Sequence, residues 1–401
     1  MSRDPEARPV IIVGAGIGGL TAALALLRRG IDVAVYEQAP ELGEIGAGVQ
    51  ISANGTRVLH ALGLEAALSE CAVEAQSKVI RHWKTGRTWK LFDLGAVSAE
   101  RYGAPYYFIH RGDLHTLLAD AVRAHKPGAI RLDACCVGVT QTAGAVMLHL
   151  PGGRTTRGRL LIGADGVQSA VRASVFGAGR PQFTGCMAWR GVIPAERLPW
   201  RIPMAGTNWL GSGRHIVHYP LRRGEALNFV ALVDRADWQV ESWTARGSPE
   251  ECRADFAGWH EDARAIVEAV DTPYKWALML REPMPGWSRD RVTLLGDACH
   301  PTLPDLAQGA CMAIEDAFVL ARCLAACGPD HRKAFARYEA ARIPRTTRIV
   351  AGSAAAKTRF HDRRLADDGA AERYIAAEWS PQRIEERYDW LFRYDATTVD
   401  I

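Results

Sequence analysis

The chain has 401 residues, 48% of them hydrophobic and 23% charged, and a formal net charge of +4. This is ordinary globular usage with basic residues scattered along the chain, so no nucleic-acid footprint is present. The length allows about two or three domains, no apolar run reaches the roughly 20 residues needed to span a bilayer, and Met1 to Pro9 has no apolar core for a signal peptide.

The first predicted element is an apolar strand, Val10 to Val13, which enters Gly14-Ala15-Gly16-Ile17-Gly18-Gly19. The turn opens a helix, Leu20 to Arg29, closed by Gly30, and a second strand, Val33 to Tyr36, ends in Glu37. Each part has a physical job. Gly14 makes the tight turn, Gly16 lets the backbone approach a pyrophosphate, and Gly19 lets the helix sit close on the sheet. The helix N-terminus offers free N–H groups to phosphates. Glu37 can accept hydrogen bonds from a ribose hydroxyl pair. In register, these parts spell an adenine-dinucleotide site.

Three glycines in Leu42 to Gln50 mark backbone passing close to something crowded. Asn54 starts an amphipathic helix, residues 78–94 alternate as a hairpin about Thr85-Gly86, and His110-Arg111-Gly112-Asp113 opens another helix. Residues 129–162 read as short strands with a Gly152-Gly153 turn, 183–235 as strand-rich, and 249–270 as helical. A strand at Val292 to Leu295 ends in Gly296-Asp297-Ala298, a helix starts near Gly309, and the tail from Ala336 is mainly helical. The basic run Arg337 to Arg348 reads as a solvated helix face. The nine cysteines show no C-x-x-C or zinc spacing, which predicts free thiols in a reducing cytoplasm and no metal site.

Three motifs line up with one family: the fingerprint at 14–37, Gly163-Ala164-Asp165-Gly166, and Gly296-Asp297-Ala298-Cys299-His300-Pro301 with Gln308-Gly309 and Glu315-Asp316-Ala317. Together they resemble the FAD-dependent aromatic hydroxylases, the single-component (class A) flavoprotein monooxygenases, over residues 10 to 350 or so. The resemblance implies an α/β (α+β) fold: a doubly wound Rossmann-like FAD domain (8–75, 100–180, 285–345), a β-sheet substrate domain (76–99, 181–284) and a helical C-terminal segment (346–401). It implies FAD as cofactor, NADH or NADPH as a transient electron donor, O2, and a small aromatic substrate. Asp297 would hold the ribityl chain, Asp165-Gly166 would support FAD and the nicotinamide donor, and Arg111 would contact FAD. Gln38, Gly48, Val49, Gly309 and Ala310 complete the implied cofactor set, and Pro304 matches a proline whose carbonyl lies beside the flavin ring. Only one G-x-G-x-x-G is present, as a visiting nicotinamide donor requires. The tail is a candidate dimer support, which the sequence leaves open.

Gly46-Ala47-Gly48-Val49-Gln50, Tyr106 to Arg111, His215 to Pro220 and Tyr388 to Phe392 resemble the salicylate, 3-hydroxybenzoate and 6-hydroxynicotinate hydroxylase branch. Flavin halogenases carry Trp-x-Trp-x-Ile-Pro; here Trp189-Arg190-Gly191-Val192-Ile193-Pro194 lacks the second tryptophan. The family mechanism reduces FAD with NAD(P)H, forms a flavin hydroperoxide with O2, and transfers its distal oxygen to an activated ring carbon. Activation removes a phenolic proton, because a phenol of pKa about 10 is mostly neutral at pH 7. His215 is the candidate base. Tyr219 shares its strand face at i+4, and His218 faces the other way. In the resembling branch the matching His and Tyr point at the substrate. Gln50 and Arg190 are further candidate substrate contacts, Arg190 for a carboxylate or else as a structural salt-bridge partner. Asp305 is expected at the substrate too. An acid there would repel an anionic ring unless it is protonated or turned away, which favours a neutral phenol, an aminophenol or a hydroxypyridine. Two rival readings are a flavin epoxidase of a larger polycyclic or quinolone substrate, and a non-catalytic flavin sensor.

Overall fold

The computed structural model describes residues 8–43, 47–177, 179, 181–235, 237 and 245–401. Glu44, Ile45 and Gly46 of the second glycine-rich stretch lie outside them. The glycine-rich turn is where the first sheet begins. Strand Val10–Val13 is wholly buried and pairs in parallel with Leu160–Gly163 on one side and Val33–Tyr36 on the other. Ile130–Arg131 and Val292–Leu294 extend this sheet in parallel, and Ser288–Arg289 closes one edge antiparallel. Near-continuous Val, Ile and Leu suit strands buried on both faces. Helix Ile17–Leu27 packs between helices Gly309–Cys327 and Arg111–His125. It begins at Ile17 rather than Leu20, because Gly16 is the last extended residue before it. Across the sheet lies a three-stranded meander, Gly138–Thr142, Ala145–His149 and Thr155–Gly158, tied in by Tyr36 Oη at 3.0 Å from Thr156 Oγ1.

A second sheet has seven strands in the order Tyr274–Leu280, Gln182–Pro194, Ala226–Asp234, Arg214–Leu221, Ala205–Gly211, Ser77–His82, Thr88–Asp93. Its neighbours are antiparallel except for Ala205–Gly211 beside Ser77–His82. The hairpin 77–93 therefore joins a sheet whose other strands begin only at Gln182. One face buries Trp189, Trp209, Ile216 and Phe229 against helices Pro249–Asp255 and Glu261–Glu268. These are two helices rather than the single stretch 249–270, because the chain breaks at Gly258 (φ 78°) and His260 caps the second one. The opposite face looks toward the first sheet and walls the cavity described below. The tail runs as helices His331–Phe360, Asp368–Glu378 and Pro381–Arg393. Among the described residues no helix is long and apolar enough to cross a membrane.

Candidate active site

The three fingerprint glycines do three different things. Gly14 sits at φ 98°, and a Cβ there would collide with the carbonyl of Ala164. A Cβ on Gly19 would collide with the carbonyl oxygen of Gly14, so the helix can approach only as glycine. Gly16 has nothing within 4 Å of its would-be Cβ and lines the main cavity. No side chain caps the helix it opens, which leaves the first-turn N–H groups pointing into that space.

Glu37 ends the second strand as the sequence predicts. Its Oε2 accepts from Ala15 N at 2.7 Å and its Oε1 from Ala39 N at 3.0 Å. Each oxygen keeps a further lone pair for a ribose hydroxyl. Gln38 is exposed beside it and does not reach the main cavity lining. Asp165 is engaged by its own following helix. Its carboxylate accepts from Ser169 Oγ at 2.6 Å and Val171 N at 3.0 Å, which caps helix Ala170–Phe176. The cleft there is lined instead by Ala164, Gly166 and Val167. Asp297 does the opposite. It follows a buried strand, caps no helix, and stands open to the cleft among buried neighbours.

From Gly16 and Asp297 one cavity of about 340 Å³ runs past Arg111, Gly48, Val49, Pro304, Gly309 and Ala310 to the seven-stranded sheet. There it meets Gln50, Arg190, His215 and Tyr219, with Val217, Val230, Leu232, Trp276 and Leu278 as dry walls. His215, Val217 and Tyr219 line it from one strand face, at period two. His218 turns away and accepts from Trp209 Nε1 at 3.1 Å on the far side. Tyr219 stacks on Phe108 at 4.9 Å. Gln50 Oε1 accepts from Tyr106 Oη at 2.7 Å. Asp305 is placed differently from its neighbour Pro304. It follows Pro304 but lies outside the cavity lining, with both carboxylate oxygens buried and without hydrogen-bond partners.

The comparisons converge on this layout. A family model described as an FAD binding domain matches residues 7–353. The chain belongs to that family, the class A flavin hydroxylases. It is 38% identical over 392 residues, 97% of each chain, to a 3-amino-4-hydroxybenzoate 2-monooxygenase of Streptomyces platensis. It is 35% identical over 408 residues, 100% of this chain and 98% of the other, to a 6-hydroxynicotinate 3-monooxygenase of Pseudomonas fluorescens. The crystal structure of HpxO from Klebsiella pneumoniae complexed with FAD and uric acid superposes with a TM-score of 0.83 at 26% identity, covering 97% and 98% of the two chains. The hydroxylase is an FAD-dependent monooxygenase that draws on NAD(P)H, as its family does. Its own residues fit the cofactor: the cleft is open where Gly16 lacks a side chain, and Asp297 stands free at the carboxyl end of the sheet.

Sequence reasoning missed several residues that shape the hydroxylase's site. Arg342 and Arg345 come from the run read as a solvated face, yet they are 0% and 8% exposed. Arg342 Nε donates to Asp316 Oδ1 at 2.7 Å, and Arg345 donates to both oxygens of Glu315 at 2.8 Å. Asp316 also accepts from Gly296 N at 3.1 Å and contacts His300 Nε2 at 2.6 Å, so it ties down the loop that carries Asp297. His300 is thereby fixed against the same loop. The signal was the acid pair Glu315-Asp316 inside an apolar helix, which needs buried cations. Asn228, whose Oδ1 accepts from Gly48 N at 2.5 Å, gave no signal at all.

Proposed function

We propose that the chain hydroxylates a small ring carrying a phenolic hydroxyl and a carboxylate, with His215 as the base and Tyr219 orienting the ring. One observation carries this. His215 and Tyr219 face the cavity that also holds Gly16, Asp297 and Pro304, and His215 Nε2 is buried there without a hydrogen-bond partner. FAD, when bound, supplies the reduction by NAD(P)H and the activation of O2. The protein's residues do the rest. The helix N-terminus at Gly16 receives the pyrophosphate, Asp297 accepts from the ribityl chain, and Arg111 contacts the cofactor. His215 removes the phenolic proton, and the apolar wall around Trp276 keeps water out.

Asp305 lies outside the cavity lining and so does not set its charge against an anionic ring. Arg190, which is 5% exposed and lines the cavity, offers a positive charge to the carboxylate. The named substrates of the relatives, 3-amino-4-hydroxybenzoate and 6-hydroxynicotinate, are both hydroxylated ring carboxylates. The test is NADH and NADPH oxidation by the yellow protein over a panel: 3-amino-4-hydroxybenzoate, 6-hydroxynicotinate, 3- and 4-hydroxybenzoate, salicylate and a quinolone. A ring carboxylate that speeds oxidation and gains one oxygen by mass is the expected result. Stimulation by the quinolone alone would transfer the proposal to the larger-substrate reading.

A further inference from the structure

His215 stands at the end of a file of three side chains. Its Nδ1 lies 2.7 Å from Nε2 of His361, and Nδ1 of His361 makes a 2.9 Å ion-pair contact with Asp234 Oδ1 that lacks hydrogen-bond alignment. His215 is 1% exposed, whereas the Asp234 side chain is 42% exposed. The backbone pins the file. Asp234 N donates to Gly213 O at 2.9 Å, and Gly213 N donates to His361 O at 3.1 Å. Phe360 sets its ring edge-on to His215 at 5.2 Å.

The donors follow from one end. An ionised carboxylate only accepts. Burial opposes ionisation of Asp234, but His361 and Lys357 outweigh it and hold the carboxyl below its usual range. In the neutral form of His361 the proton belongs on Nδ1, the nitrogen nearest Asp234, and Nε2 is left as an acceptor. His215 then donates from Nδ1, and its Nε2 keeps a lone pair. That Nε2 is buried and unpartnered, on a residue that lines the cavity. A carboxylate at the surface thus selects the tautomer in the pocket.

We propose that Asp234 acts through His361 to hold His215 in the tautomer that takes the substrate's hydroxyl proton, and to balance the charge once it is there. Both are positioning residues, and the proposal rests on His215 being the substrate base. In the step, the substrate O–H bond breaks, its electron pair stays on oxygen, and an N–H bond forms at His215 Nε2. The Nδ1 proton of His215 can then cross to His361, which places the positive charge beside Asp234. The support is needed. Burial above all, with the charges of His361 and Lys357, pushes the His215 imidazole well below its usual pKa, so a proton it takes is better held on His361 beside Asp234. The other groups facing the file are few. Lys357 Nζ pairs with Asp234 at 3.1 Å. Cys186 brings its sulfur within 4.8 Å of Asp234 and His361, but burial keeps it a thiol. Asp305, on the neighbouring loop, feels the charges of Lys357 and Asp234.

The first test needs no substrate. In histidine-15N-labelled holoenzyme, with His215→Gln assigning the signal, His215 Nε2 should read as an unprotonated nitrogen near neutral pH. Asp234→Asn, whose amide can donate to His361, should reverse both tautomers and place N–H in the cavity. Wild-type His215 with a protonated Nε2 overturns the proposal. The second test uses 3-amino-4-hydroxybenzoate with NADH. Asp234→Asn and His361→Gln should lower hydroxylated product at pH 7 by about 10- to 100-fold, with flavin reduction changed less than about twofold. Raising the pH toward a phenol's pKa of about 10 should restore much of the loss, because phenolate then arrives from solution. Asp234→Glu should keep most of the activity, and bound FAD absorbance reports that each variant is folded. Undiminished product in both variants overturns the proposal. The expected tautomers in a wild type that oxidises none of the panel rings would sink the substrate reading and leave the tautomer file supported.

Discussion

A Cβ on Gly48 would stand 2.6 Å from Cε2 of Tyr219. The ring has little room to retreat, because it stacks on Phe108 at 4.9 Å, and Asn228 crowds the same Cβ at 2.9 Å. Gly48→Ala is therefore expected to cost about 1–3 kcal/mol of stability by overpacking and to displace Tyr219 from the substrate wall. Thermal unfolding and titration of 3-amino-4-hydroxybenzoate into the holoenzyme check this. An unchanged midpoint with unchanged affinity would show that Tyr219 moves aside freely.

Asp297 stands open to the cleft and serves no helix cap. Replacing Asp297 with alanine removes an acceptor for the ribityl hydroxyls, each charge-assisted hydrogen bond being worth about 1.5–3 kcal/mol. FAD affinity should fall by about 10- to 100-fold, and the purified variant should be pale. Full colour at the wild-type ratio of flavin to protein absorbance would remove Asp297 from the cofactor site.

His215 and His218 lie on one strand with opposite faces. His215→Asn should keep flavin reduction by NADH but lose roughly 10²-fold or more in hydroxylation, so that reducing equivalents end as hydrogen peroxide. His218→Asn disturbs only the bond from Trp209 on the far face, so product per NADH should hold while thermal stability falls. Equal coupling in both variants would move the base elsewhere, with Tyr219 next.

Burial pushes the Asp305 carboxyl up to about 7. The unfolded chain ionises the same group near pH 4. Between these values the folded state binds more protons, so stability is lost as pH rises through the window, and the loss is complete above about 7. Asp305→Asn should therefore stabilise the protein at about pH 8, by on the order of a few kcal/mol, with the gain gone near pH 4. Denaturant midpoints at the two values measure it. A gain of the same size at both would show that Asp305 charge is not its source.

Much of the cofactor cleft was legible because its signals are local. Gly14, Gly16 and Gly19 answer a turn, an open approach and a close packing within six residues, and Glu37 ends the next strand. His215, Val217 and Tyr219 share a face by the period of a strand alone. The reading failed where a charged side chain had two places to turn. Asp165 could face the cofactor or cap its own following helix, and Ser169 and the Val171 N–H claim it. Asp305 could face the substrate beside Pro304, and the loop after Pro304 turns it out of the cavity.

By itself the sequence determined the glycine loop, the parallel Rossmann-like core and the strand face of His215 and Tyr219, and its motifs carried the resemblance that implied a flavin hydroxylase. These depend on neighbours three, four or two positions apart. Only the tertiary structure decided what buries Arg342, which finds Asp316 across 26 positions, and what holds His215, which meets His361 across 146. Pairing between buried charges and imidazoles is set by which elements pack together, and the order of residues along one strand or helix carries no record of that.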